Sequence, residues 1–221
     1  MKILAIDTTT EACSAALHVD GETIEKYEVA PRKHAELILP MIDSLLAESE
    51  QSLTGLDALA FARGPGAFTG VRLCTSVAQG LAYSADLPVI PVSTLAALAQ
   101  GVDSEDDIIV SMIDARMGEI YWGTFKKNKH NIVASVSDEE VCKPEDFEFD
   151  TTMTCIPVGS GWQRYQDLFS SSLNTKSEKS KTDSLPRAID VLEISLSKHR
   201  GTTYRNAKEA LPKYIRNKVV N

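Results

Sequence analysis

The chain opens with three strand-length runs. Lys2 to Asp7 is apolar and ends on a carboxylate, Ala12 to Val19 is a second such run, and Asp20-Gly21 is a two-residue hairpin signal leading into Glu22 to Val29. This pattern predicts an antiparallel meander. Pro31 closes the third strand, and Leu37, Ile38, Met41, Ile42, Leu45 and Leu46 then recur at helical spacing, predicting an amphipathic helix from His34 to about Glu50. Pro40 removes a backbone donor inside it, so either a kink there or a helix starting in earnest at Pro40 is expected. Leu56 to Ala62 reads as a buried strand, Gly64-Pro65-Gly66-Ala67-Phe68-Thr69-Gly70 as a loop, and Gly70 to Ala85 as a helix, which together make a βα unit. Val89 to Val92 is a further strand, with Ser93 or Thr94 placed to cap a short helix from Leu95 to Gln100.

The acidic stretch Asp103 to Asp107 marks a boundary, which predicts an N-terminal subdomain over 1–102 and a smaller C-terminal one over 103–221 whose final segment packs back on the first. Past it the pattern restarts. Ile108 to Asp114 is again an apolar strand ending in Asp, followed by a turn and a strand from Glu119 to Phe125, so that Asp7 and Asp114 hold equivalent places. A hairpin through Lys127-Asn128-Lys129 leads to a strand over Ile132 to Val136, an acidic segment spans Asp138 to Asp150, and another strand covers Thr154 to Val158. Ser170 to Ser184, rich in Ser and Lys, reads as a mobile loop, because it buries too little apolar surface to offset its ordering entropy. Leu185, Ala188, Ile189, Leu192 and Leu196 form a helical stripe, and the tail carries Lys213, Arg216 and Lys218.

Composition narrows the classes. With 221 residues, 43% hydrophobic and 24% charged, the chain resembles a soluble globular protein and not a disordered, collagenous or disulfide-stapled one. A net charge of -8 opposes non-specific attraction to a nucleic-acid backbone, so any contact with nucleic acid is expected to rely on a partner's cations. Cys13, Cys74, Cys142 and Cys155 lack Cys-x-x-Cys spacing, and His18, His34, His130 and His199 lack the spacing of a zinc site. Reduced thiols, a cytoplasmic location and no metal are expected. No run of 18 apolar residues occurs, and Asp7 arrives too early for a secretory signal, so no membrane association is expected.

The glycine loop is the most informative stretch, since glycines between strand and helix let backbone amides approach an anion. Its spacing fits neither phosphate motif: Gly70-Val71-Arg72 replaces the Gly-Lys-Ser/Thr of a Walker loop, and the dinucleotide fingerprint has one residue fewer between its last two glycines. A tight structural turn and an anion site both remain open. If Thr69 caps the helix, Arg72 stands in its first turn, where the macrodipole disfavours a cation, so a carboxylate such as Asp7 or Glu11, or a partner's acidic group or a phosphate, is expected to hold it. Along the same helix Cys74, Ala78 and Ala82 form one small-residue row, and Ser76, Gly80 and Ser84 another. One row against the sheet would leave the other as a flat docking face; a plain close-packed core helix is the alternative.

Asp7 and Asp114 match the paired strand-end carboxylates that hold a metal beside a nucleotide, but Thr8-Thr9-Thr10 has no glycine on which phosphates can lie, and Ala115-Arg116-Met117-Gly118 has one. Gly159-Ser160-Gly161 is not a nucleophile elbow.

Taken together, Ile3-Leu4-Ala5-Ile6-Asp7-Thr8-Thr9, His34-Ala35-Glu36 with Leu39-Pro40, Gly64 to Arg72, Asp114 to Tyr121 and Pro212-Lys213-Tyr214-Ile215-Arg216 closely resemble the bacterial TsaB (YeaZ) family over nearly the whole chain. Ala67 departs from the serine usual there, which implies that no hydroxyl is required at that position. The resemblance implies the α/β actin-like ATPase superfold of two ribonuclease-H-like halves, the second reduced, with degenerate nucleotide machinery. It further implies a non-catalytic, activating subunit that supports its catalytic paralogue TsaD. TsaD transfers a threonylcarbamoyl group to N6 of adenosine 37 in tRNAs reading codons that begin with A, and carries a metal-binding His-x-x-x-His motif absent from this chain.

Further implications are the ATPase TsaE as a second partner, a homodimer when the chain is alone, and tRNA contact only through the complex. No tightly held cofactor is implied; ATP is used by the complex, with a place for an adenine nucleotide at the partner interface. The faces around Ile38, Met41, Ile42 and Leu45, and around Arg72, Thr75, Ser76, Gln79, Gly80 and Tyr83, are expected to form that interface, with Gly64, Gly66, Thr69 and Gly70 as the structural glycine loop. A small ATPase or kinase with Asp7 and Asp114 near a metal is the alternative, and a protease a remoter one.

Overall fold

The computed structural model describes residues 1–104, 107–150, 152–169, 173–176, 184–199 and 205–216. Strands β1 (Lys2–Asp7), β2 (Ala12–Val19) and β3 (Glu22–Val29) form the expected meander, and β4 (Ala58–Ala62) and β5 (Val89–Val92) join β1 in parallel, giving the order β3-β2-β1-β4-β5. Ile3 to Ile6 alternate across the pleat yet are all fully buried, so both faces of β1 are covered. Helices α1 (His34–Glu48) and α2 (Phe68–Ser84) pack together against this sheet, and α5 (Ala188–His199) packs on the same strands without comparable contact to either helix. Pro40 lies exposed on α1, where the carbonyl it leaves free meets water, and the helix begins at His34 and not at Pro40.

The second sheet repeats the first. Strands β6 (Ile108–Arg116), β7 (Glu119–Lys127), β8 (Val133–Ser135), β10 (Thr154–Val158) and β11 (Asn174–Thr175) run in the order β8-β7-β6-β10-β11, antiparallel on one side of β6 and parallel on the other. Strand β9 (Glu140–Cys142) also pairs with β7. The lobes exchange helices. α3 (Thr94–Gln100), capped by Ser93 as its residue type predicts, buries Leu95, Leu98 and Ala99 against Ile109, Ile113 and Phe125 of the second sheet, while α5 returns Ala188, Val191 and Leu192 to the first core. Helix α4 (Ser160–Phe169) follows β10 and closes a separate aromatic core of Trp122, Phe147, Trp162 and Phe169.

Two expectations need correction here. Residues 160–169 form a helix that the sequence reading did not assign, although Trp162, Tyr165 and Phe169 stand at i, i+3 and i+7. Within the segment read as a mobile loop, Asn174 and Thr175 pair with β10, and Ser184 to Arg187 are described; residues 170–172 and 177–183 lie outside the described residues. Glu105, Asp106 and Lys218 also lie outside them. Among the described residues no helix is long and apolar enough to cross a membrane.

Candidate functional site

A cleft of about 670 Å³ lies between the lobes, lined by Thr9 to Glu11, Pro65 to Phe68 and Val71 on one side and Ile113 to Arg116, Tyr121 and Arg164 on the other, with Lys213 to Arg216 across it; of the two strand-end aspartates Asp114 lines it and Asp7 lies buried behind the turn that does. Each aspartate accepts the backbone N–H two residues on: Asp7 Oδ1 from Thr9 at 2.7 Å and Asp114 Oδ1 from Arg116 at 3.0 Å. The surroundings then diverge. Asp7 is 1% exposed, its Oδ1 also accepts the Thr9 hydroxyl at 2.7 Å, and its Oδ2 is buried with no partner. Burial pushes its pKa up to about 7 against the pull of the Thr9 hydrogen bonds. Asp114 Oδ2 accepts from Arg116 Nη1 at 3.1 Å and from Arg164 Nη1 at 2.9 Å, and Arg116 Nη2 reaches Glu11 across the cleft at 3.3 Å.

These groups do not fit a metal-bound nucleotide. A divalent cation needs accessible carboxylate oxygens, whereas Asp114 Oδ2 holds two guanidiniums and the one unpartnered oxygen of the pair, Asp7 Oδ2, is buried behind its own turn. No three His, Cys, Asp or Glu side chains converge among the described residues. The glycine loop is filled as well. A Cβ on Gly66 would stand 2.4 Å from Thr9 O, and one on Gly70 2.1 Å from Thr8 O, so these glycines admit the close approach of the β1–β2 turn. Ala67 N–H donates to Thr9 O at 2.8 Å and the Thr8 hydroxyl to Gly70 O at 2.8 Å, closing the contact. Gly64, at φ +97°, turns the chain into this loop.

Helix α2 starts at Phe68 with Ala67 as its N-cap, so Thr69 lies exposed within the first turn and Arg72 falls in the second. Neither Asp7 nor Glu11 holds Arg72. Its guanidinium lies 3.2 Å from the Phe68 ring centroid and 5.5 Å from that of Tyr214. Cys74, Ala78 and Ala82 are buried against the sheet, and Arg72, Ser76, Gly80 and Tyr83 are exposed; a Cβ on Gly80 would meet nothing within 4 Å. Gln79 is half-buried beside that row.

The other expected interface residues lie elsewhere. Ile38, Ile42 and Leu45 are at most 2% exposed and belong to the chain's own core, because they form the apolar face with which α1 covers the sheet. Met41 is half-buried against that core, and Thr75 is buried with its hydroxyl donating to Val71 O. The outward face of α1 carries Leu39, 47% exposed, with Ala35, Glu36 and Asp43. Sequence reasoning missed Arg164, which reaches Asp114 from α4, and Glu139, which joins the lobes. In the basic tail Lys213 pairs with Glu139 and Arg216 with Glu119, so both cations are engaged within the chain.

Two sheets of matching strand order, with α2 following β4 in the first and α4 following the equivalent β10 in the second, and facing across a cleft, define a protein of the actin-like α/β superfold. The family model described as TsaD, tRNA N6-adenosine threonylcarbamoyltransferase, matches residues 22–217. The chain is 41% identical to the tRNA threonylcarbamoyladenosine biosynthesis protein TsaB of Escherichia coli strain K12, over 99% of this chain and 96% of that protein. It is 40% identical to the protein of the same name from Haemophilus influenzae, over 99% and 95%. The solved structure of YeaZ from Pseudomonas aeruginosa superposes with a TM-score of 0.86 at 37% identity, covering 96% of this chain and 99% of that one. The chain belongs to the TsaB (YeaZ) family, within the broader TsaD type.

Proposed function

We propose that the chain is a non-catalytic, activating subunit of the assembly that makes threonylcarbamoyladenosine at position 37 of tRNA, and that it acts by docking to TsaD. One observation supports this reading: Asp114 is held by Arg116 and Arg164 and the glycine loop is pressed against the Thr8–Thr9 turn, while α2 keeps an exposed row of Arg72, Ser76, Gly80 and Tyr83. A small-residue row lets a second helix approach closely. Docking that favours the competent state of TsaD raises its population, with chemistry left to TsaD and ATP turnover to TsaE. tRNA is met through the complex, and in the absence of TsaD the same face pairs two copies of this chain in the cytoplasm.

The test is reconstitution. With TsaD, TsaE, ATP, the threonylcarbamoyl adenylate and tRNA, modification should require this chain, and Gly80→Arg or Ser76→Glu should abolish co-elution with TsaD while leaving the melting temperature near that of the parent. Full-speed modification without the chain would overturn the reading. Tight ATP binding and turnover by the chain alone would favour a small ATPase or kinase instead.

A further inference from the structure

The origin of α2 is held from outside the helix. Its N-cap, Ala67, offers no side-chain acceptor, so the direction of the first turn depends on what grips the loop before it. On one side the grip is the Thr8–Thr9 turn described above. On the other it is a junction of three segments: Thr94 N–H donates to Gly64 O at 3.1 Å, Lys213 N–H donates to Arg63 O at 2.9 Å, and Lys213 O lies 3.3 Å from where a Cβ on Gly64 would stand. Both Ser93, next to Thr94, and Lys213 converge on one carboxylate of the second lobe. Glu139, on the connection between β8 and β9, accepts the Ser93 hydroxyl on Oε1 and Lys213 Nζ on Oε2 at 2.8 Å, with a side chain only 8% exposed. Tyr214, the next residue, is one of the two rings between which Arg72 lies.

We propose that Glu139 is a positioning residue for the α2 face: by fastening Ser93 and Lys213 it sets the glycine loop and Tyr214, and thereby the angle at which Arg72, Ser76 and Gly80 are presented. This gives the second lobe a part in docking although it contributes no residue to that face. A largely buried carboxylate with two donors suits the task, because charge-assisted hydrogen bonds in a desolvated site fix geometry better than apolar contact does. The proposal deepens the docking reading above and rests on it for its second arm only.

The first arm uses the chain alone. In Glu139→Gln, Lys213→Met and Ser93→Ala, amide exchange over residues 64–76 should quicken by about tenfold, with exchange in β6 and β7 unchanged. Lys213→Arg, which keeps the charge, should restore the parent pattern. In the second arm each of the three variants should bind TsaD about fivefold more weakly, and Glu139→Gln combined with Lys213→Met should be no weaker than either alone, since both remove one contact. Parent-like exchange over 64–76, acceleration spread across both sheets, or additive losses in the double variant would overturn the proposal. If the parent chain itself fails to bind TsaD, the docking reading falls, and the exchange arm still decides what Glu139 holds.

Discussion

The turns after β1 and after β6 start from the same local device and end in opposite states. Both aspartates accept the N–H two residues ahead, the ordinary habit of Asp in a turn. In the first lobe the turn is then pressed under the glycine loop, which strips water from Asp7 and supplies no cation. In the second lobe the turn bends outward through Arg116, Met117 and Gly118, all at positive φ, and Asp114 meets Arg116 and, from α4, Arg164. One lobe presses this corner into packing, and the other holds it in an ion-pair cluster. The shared N–H contact therefore says little about what else each carboxylate meets; the neighbours that the fold brings up decide it.

The sharpest way to break this contrast is at the buried corner. Gly70→Ala would place a Cβ 2.1 Å from a backbone carbonyl that has nowhere to go, and should cost more than about 4 kcal/mol, read as lost stability in urea unfolding. A mild effect would mean that the loop and the Thr8–Thr9 turn are not locked together. Gly159→Ala is the counterpart in the second lobe, where the Cβ would stand 2.4 Å from Met112 O at φ +102°, and should be similarly severe.

Next in size is the pH dependence of Asp7. Its folded pKa, about 7, lies above the unfolded value of 3.8, so the unfolded state loses its proton first as pH rises. Stability from this group is therefore full below about pH 4, falls between pH 4 and 7, and stays low above, a loss on the order of 4 kcal/mol. Asp190, likewise raised to about 7 by burial and by its neighbours Glu193 and Glu25, adds a fall of the same sign. Asp7→Asn should match the parent at pH 4 and exceed it at pH 8 in denaturant midpoint. Equal midpoints for parent and variant at pH 8 would show that Asp7 is hydrated.

Asp114→Asn should have the opposite sign at pH 8, a loss of about 1 kcal/mol that shrinks in concentrated salt, because its guanidinium partners are more than half exposed. The smallest effect is at Gly80. With open space where its Cβ would go, Gly80→Ala should stabilise the isolated chain by up to about 1 kcal/mol through helix propensity, measured as a higher thermal midpoint.

Much of the first lobe was legible because its signals are local. The Asp20-Gly21 turn, the run Leu56 to Ala62 before the glycines, and Ser93 before a short apolar helix each act within a few residues, and the elements fell where those signals stand. The second lobe was less legible. Its strand–glycine–helix unit at Thr154 to Phe169 repeats the first lobe's unit, but the polar residues Gln163, Arg164, Gln166 and Asp167 mask the stripe of Trp162, Tyr165 and Phe169. The interface was misread on α1 for a reason of principle: apolar residues at helical spacing mark the face that goes inward, so Ile38, Ile42 and Leu45 were the wrong face to offer a partner.

By itself the amino-acid order determined most of the first lobe's strands and helices, that the two halves share a plan, and that the glycine loop matches no phosphate motif, since periodicity, turn chemistry and glycine spacing are properties of neighbouring residues. Only the tertiary structure decided which carboxylate is buried and which is paired, that Gly66 and Gly70 make room for Thr9 and Thr8, that Arg72 rests between two rings, and that Glu139 ties three distant segments together. Desolvation and ion pairing depend on groups tens of residues apart along the chain, and no local pattern encodes which of them will meet.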